Sequence, residues 1–112
     1  MATYTPAIGG TNGRPKKIAG TSAGAADTVY TNGGGTEEVF ITAWNTDTAE
    51  RKLTLLLGGT TNPDDYLPIY LPPEGGPITI LEGHRFNGSV LIKAFADAAN
   101  KVNVIVDINQ IA

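Results

Sequence analysis

Residues 89–111 read SVLIKAFADAANKVNVIVDINQI and contain the two clearest strand patterns of the chain. In each run apolar side chains occupy every second position, which places them on one face of an extended segment. Only residues 97–100 separate the two runs. A connection this short predicts an antiparallel hairpin. Its apolar faces are Val90, Ile92 and Ala94 in the first run and Val102, Val104, Val106 and Ile108 in the second.

A second pair of runs shows the same alternation. Residues 37–44 and 51–57 are joined by the polar residues 45–50, so we predict a second hairpin there. About seven or eight short strands separated by turn residues are expected in all, which predicts an all-β fold. The architecture is a single-domain antiparallel β-sandwich of jelly-roll or immunoglobulin-like type. The remaining strands are expected at residues 26–30, 66–71 and 78–81.

Composition limits the functions that the chain can carry. Its 112 residues suffice for one two-layer core, and the absence of cysteine excludes disulfides and thiolate metal sites. No apolar run of about eighteen residues occurs, so we expect no membrane span. The first six residues lack the charged start and apolar stretch of a signal peptide, and we expect no leader.

The N-terminal part differs from the rest in charge and flexibility. We predict an extended arm over residues 1–25 and the β-sandwich domain over residues 26–112. The arm carries bases and no acid, and its few apolar residues bury too little surface to order it without a neighbouring molecule. Three charges favour a solvated tail or a protein partner over nucleic acid. The candidate partner-binding residues are Tyr4, Ile8, Arg14, Lys16, Lys17 and Ile18.

One sheet face is more apolar than contact with solvent requires. Phe40, Trp44 and Leu56 are expected on the face opposite the core. We predict that the arm or another subunit covers them, and we assign the three residues to an oligomer interface.

No residue pattern indicates a reaction, a metal or a cofactor. His84 is the only histidine, and neither serine lies in a Gly-x-Ser-x-Gly elbow. Glu37 and Glu38 are neighbours in a strand and should point to opposite faces, both toward solvent. The Asn62–Asp65 loop suits a turn better than a calcium site. We therefore expect no enzyme and no cofactor.

Several segments resemble small β-sandwich structural proteins that tailed bacteriophages encode among their virion genes. The similarity spans residues 21–112 and leaves the arm unmatched. It is carried by residues 43–46, 53–55, 58–65, 90–100, 102–104 and 109–111, which read AWNT, LTL, GGTTNPDD, VLIKAFADAAN, VNV and NQI.

The resemblance implies a non-enzymatic virion protein, first of all a capsid decoration or cement protein. Such a protein would form a homo-oligomer, a dimer or trimer, on the capsid surface, and its arm would bind the major capsid protein. A neck or tail component is the nearest alternative. A carbohydrate-binding or adhesin-like module is the other, and it requires Trp44, Tyr66 and Tyr70 to cluster on an exposed surface.

Overall fold

The structure, a computed structural model, describes residues 3–6, 14–32 and 34–111. Over these residues the chain forms nine β-strands and one short 3-10 turn. No helix in this part of the chain is long and apolar enough to span a membrane. The elements are β1 (Thr3–Pro6), β2 (Lys16–Lys17), the 3-10 turn (Ala23–Ala25), β3 (Asp27–Thr31), β4 (Thr36–Asn45), β5 (Arg51–Leu57), β6 (Tyr66–Leu71), β7 (Ile78–Asn87), β8 (Leu91–Ala96) and β9 (Val102–Ile111).

The strands form two antiparallel sheets that enclose one core, which confirms the predicted β-sandwich. The five-stranded sheet has the order β1-β9-β4-β7, with β2 also paired to β9, and the four-stranded sheet has the order β3-β8-β5-β6. Alternation explains the core, because β4 buries every second residue along its whole length. Fully buried side chains come from both sheets and include Val39, Ile41, Leu53, Leu55, Ile92 and Val104.

Both predicted hairpins are wrong. β8 pairs with β3 and β5 in the four-stranded sheet, whereas β9 pairs with β4 and β1 in the other. β4 and β5 are likewise divided between the two sheets. Each short connection therefore crosses from one sheet to the other, so the alternating apolar faces of the two strands meet across the core. The strand expected at residues 78–81 continues to Asn87, since β7 pairs along almost all of β4.

The described part of the arm is ordered by the chain itself, which corrects the expectation that it needs a neighbour. β1 and β2 pair with β9 along one edge of the five-stranded sheet. Ile18 is fully buried in the core. Its backbone N–H donates to the Val102 carbonyl at 2.9 Å, and its carbonyl accepts from the Asn100 N–H at 2.8 Å. The core therefore begins before residue 26.

Glu37 is also not solvent-facing, although Glu37 and Glu38 do point to opposite faces. Glu37 is only 4% exposed and faces the core. Its carboxylate accepts a 2.5 Å hydrogen bond from the hydroxyl of the fully buried Tyr30. Tyr30 belongs to β3 and Glu37 to β4, so this bond joins the two sheets. Burial, together with the hydrogen bond and charge of Glu37, raises the pKa of Tyr30.

Candidate ligand-binding groove

Three strands of the four-stranded sheet present large side chains on its outer surface. The register sets Thr54 of β5 opposite Pro68 of β6 and Phe95 of β8. One step along, Leu56 lies opposite Tyr66 and Lys93. We call this surface the aromatic face. It consists of Lys52, Thr54, Leu56, Tyr66, Pro68, Tyr70, Lys93 and Phe95, the positions that alternate with the core residues of the three strands.

Two aromatic rings cover the middle of this face. The centroids of the Tyr66 and Phe95 rings are 5.9 Å apart with the rings edge to face. Because β6 and β8 lie on either side of β5, the rings meet across β5. Thr54 and Leu56 consequently remain only 3% and 1% exposed on the outside of the sheet. Side chains of the same chain thus bury Leu56, which does not need another subunit to cover it.

The loop between β5 and β6 forms a wall beside the rings. Its shape is fixed locally, because the Asp65 carboxylate accepts a 3.0 Å hydrogen bond from the Thr61 N–H. The Asp65 N–H in turn donates to the Thr61 carbonyl at 2.8 Å. These bonds confirm the turn predicted for this segment. The loop places Asn62 and Pro63 along the edge of the aromatic face.

A groove of about 430 Å³ lies between the loop and the rings. This volume is within the range of small-molecule and sugar-sized sites. The groove combines an apolar wall with a few polar groups, a composition typical of ligand sites. The apolar wall is formed by Pro63, Tyr66, Pro68 and Phe95, and the polar groups belong to Thr21, Lys52, Thr54, Asn62 and Asp97.

Charged side chains lie at one end of the groove. The Lys52 ammonium is 5.6 Å from the centroid of the Tyr70 ring, a cation–π contact. Asp97 shares Arg51 with Asp47, because the Arg51 guanidinium lies 3.8 Å from Asp97 and 2.6 Å from Asp47. The hydrogen bond from Arg51 also lowers the pKa of Asp47. The groove therefore presents one cation, Lys52, and one carboxylate, Asp97, to a ligand.

The outer face of the five-stranded sheet carries a second groove, also of about 430 Å³. Trp44, Ile105 and Pro77 line it together with the carboxylate of Asp107. Phe40 lies on the same face, with its ring close to Gly83. The predicted interface set is therefore divided, because Phe40 and Trp44 lie on this sheet and Leu56 on the other. Their role in an oligomer stays a prediction.

The predicted arm residues have different positions. Ile18 is a core residue, whereas Arg14 and Lys17 are exposed and Lys16 is half-buried. The other two are Tyr4, which lies in β1 opposite Asn109, and Ile8, which lies outside the described residues. A partner-binding role for the arm stays a prediction.

Of the nine residues that line the groove, sequence reasoning selected only Tyr66 for sugar binding, and the residues it missed include Lys52, Phe95 and Asp97. Alternation did place Lys52 with Thr54 and Leu56 on one face of β5, opposite the face of Leu53, Leu55 and Leu57. The missing information was the pairing of β8 with β5, because the predicted hairpin assigned β8 to a different neighbour. Phe95 and Asp97 reach the groove only through that pairing.

Neither a family model nor a curated protein matches this sequence. Similar solved structures include the CBM36-1 domain of a multidomain xylanase from the hindgut metagenome of Trinervitermes trinervoides. That match has a TM-score of 0.53 and 16% identity over 100% of this chain and 98% of the other. An exo-β-1,3-galactanase from Phanerochaete chrysosporium, solved with galactose, matches at a TM-score of 0.47 and 20% identity. The match covers 98% of this chain and 29% of the enzyme.

Proposed function

We propose that this chain is a non-catalytic β-sandwich module that binds a polysaccharide in the groove of the aromatic face. The observation that carries the proposal is the pair of rings, Tyr66 and Phe95, that meets beside the polar groups of Lys52, Asn62 and Asp97. A sugar ring has apolar C–H faces and a polar rim of hydroxyls. It therefore matches a site in which aromatic surface lies next to hydrogen-bonding side chains.

A carbohydrate-binding module requires Trp44, Tyr66 and Tyr70 to lie together on an exposed surface, and two of the three do so. Tyr66 and Tyr70 share the aromatic face, being four residues apart on β6. Tyr70 is 62% exposed and so accessible to a ligand. Trp44 lies on the other sheet, and Phe95 is the aromatic residue that joins Tyr66 in the groove. The similarity in fold to the CBM36-1 domain of a xylanase supports the proposed carbohydrate-binding function.

The charges of the groove favour binding over hydrolysis. Most glycoside hydrolases use two carboxyl groups, one on each side of the bond that is cleaved. Asp97 is the one carboxylate among the described residues that line this groove, and Arg51 lies beside it. A second acid is therefore missing from the described groove, and we propose no reaction.

Replacement of Tyr66 by alanine should weaken polysaccharide binding about tenfold, because it removes one of the two rings and opens the packing over Thr54. The measurement is affinity electrophoresis in gels that contain polymers chosen from a glycan-array screen. Trp44→Ala is the matched control, since it removes an aromatic ring from the opposite sheet. Equal retardation of wild type and Tyr66→Ala would exclude the groove as the binding site.

A virion structural protein is the second candidate. The sequence resemblance to phage virion proteins suggests it, and the apolar outer face of the five-stranded sheet around Phe40, Trp44 and Ile105 favours it. In this role the chain would be a capsid decoration protein that forms a dimer or trimer on the capsid surface and binds the major capsid protein. Many modest contacts, repeated by symmetry, would then hold it in place.

The second candidate predicts that Trp44→Ala lowers the oligomeric state, measured by light scattering, while Tyr66→Ala does not. An unchanged oligomer would remove Trp44 from the interface. Mass spectrometry of purified particles tests the location: a copy number close to that of the major shell protein indicates decoration, and only a few copies indicate the neck or tail. Deletion of the arm is a poor test, because removal through residue 20 also removes the core residue Ile18.

A further inference from the structure

Two lysines of the aromatic face have no acidic partner among the described residues. Lys52 and Lys93 are both half-buried, with their stems on the sheet. Neither forms an ion pair with a carboxylate of residues 3–6, 14–32 or 34–111, whereas Arg51 and Arg85 do. A half-buried cation without a counter-charge is only partly solvated, so an anion that reaches it gains more than it would at a fully exposed lysine.

The two lysines lie at opposite ends of the aromatic face. Lys52 is on β5 opposite Tyr70, and Lys93 is on β8 opposite Leu56. Their positions are offset by four residues along the strands, which corresponds to about 13 Å. Along β5 the order is therefore Lys52, then Phe95 at the level of Thr54, and then Tyr66 and Lys93 on either side of Leu56. An extended polymer that lies along β5 passes Lys52, the rings and Lys93.

The outer face of the opposite sheet carries charges of both signs. Its outer positions include the acids Glu38, Glu82 and Asp107, and also Arg85, which pairs with Glu38 at 3.1 Å, and the exposed Lys17 of β2. The whole chain carries a net charge of −3. A polyanion is thus repelled by the protein as a whole, and Lys52 and Lys93 attract it locally at the aromatic face.

We infer that the polysaccharide bound in the groove is anionic, with carboxylate or sulfate groups on its sugars. Lys52 binds one anionic group at the end of the groove and Lys93 a second at the other end of the aromatic face. This inference rests on the proposed polysaccharide-binding function and specifies the ligand class of the same groove.

The test is affinity electrophoresis of the full chain in gels that contain single polymers. The acidic polymers are polygalacturonate, alginate, hyaluronan and heparin, and each is paired with its methyl-esterified or desulfated derivative. Neutral xylan, galactan and glucan complete the set. We expect at least one acidic polymer to retard the protein, its neutralised derivative to bind about tenfold more weakly, and added salt to weaken binding.

Lys52→Gln should weaken binding of that polymer about tenfold, as expected for loss of one charge-assisted contact. Lys101→Gln is the matched control, because Lys101 is exposed in the connection before β9 and lies outside the groove lining, while the change in net charge is identical. Its affinity should stay close to that of wild type. Equal losses in the two variants would overturn the inference.

The outcomes also distinguish failure of the anionic-ligand inference from failure of the proposed polysaccharide-binding function. Binding of a neutral polymer as tight as that of any acidic one, with no effect of Lys52→Gln, would overturn the anionic ligand and leave the groove as a polysaccharide site. Failure of every polymer to retard the protein would overturn both.

Discussion

Replacing Ile18 with alanine should lower the free energy of unfolding by about 2–5 kcal/mol, the usual cost of truncating a large aliphatic side chain in a packed core. Ile18 is fully buried, and its backbone is hydrogen-bonded to Asn100 in the connection before β9 and to Val102, the first residue of β9. The neighbouring Gly20 carbonyl accepts from Ala96, the last residue of β8, at 3.1 Å. Residues 18–20 thus connect both sheets at one end of the sandwich.

The measurement is urea unfolding of the purified chain at low concentration, where contacts between molecules are rare. Leu91→Ala is the matched control, because Leu91 is 37% exposed and its truncation should cost much less. A change below about 0.5 kcal/mol for Ile18→Ala would mean that the arm is not part of the core in the isolated protein. The arm would then be ordered only by a neighbouring molecule, as the sequence alone predicts.

Replacing Tyr30 with phenylalanine should cost about 1–3 kcal/mol, because it leaves the buried Glu37 carboxylate without its donor. The aromatic ring itself is kept, so packing against Phe86, whose ring centroid is 6.0 Å away, changes little. Urea unfolding at pH 7 measures the loss. Tyr70→Phe is the control, since the Tyr70 side chain is 62% exposed, and it should leave the free energy of unfolding almost unchanged.

The same pair predicts a dependence of stability on alkaline pH. The pKa of Tyr30 is raised in the folded protein by burial and by Glu37. Above pH 10 the unfolded chain therefore releases this proton while the folded chain retains it, so the free energy of unfolding falls as pH rises, by at most about 1.4 kcal/mol per pH unit. Tyr30→Phe should remove this contribution to the slope, and Tyr70→Phe should keep the wild-type slope. Identical slopes for wild type and Tyr30→Phe would contradict the buried bond.

The strands and their core faces follow from the sequence, but the strand pairing does not. Alternation of apolar residues identifies the inward positions of β4, β8 and β9, because each extended segment must bury one face. The length of a connection is less informative. Residues 97–101 are short enough for a hairpin and also long enough to cross between sheets, and only the packing of Ile92 and Val104 across one core decides between them.

The buried state of Ile18 and Glu37 could not be predicted for a related reason. Composition describes residues 1–25 as glycine-rich and basic, which is typical of a mobile tail, yet one isoleucine in it fills the end of the core. Glu37 is a charged residue at an inward strand position. Its burial depends on Tyr30 of another strand, whose hydroxyl reaches it only in the folded chain.

The groove was predictable only in its separate parts. Their aromatic chemistry alone indicates Trp44, Tyr66 and Tyr70 as sugar-stacking candidates, and only Tyr66 of the three lines the groove. Lys52 and Phe95 join Tyr66 in the groove through the pairing of β5 with both β6 and β8, a long-range feature that no local pattern encodes.

The most direct test of the polysaccharide-binding groove is to map where the ligand sits. Amide chemical shifts of 15N-labelled protein would be recorded with oligosaccharides of the polymer that gives the strongest retardation. We predict the largest changes at Lys52, Thr54, Tyr66 and Phe95. Changes centred on Trp44 and Ile105 of the opposite sheet, or no changes with any of the oligosaccharides, would contradict the proposed function.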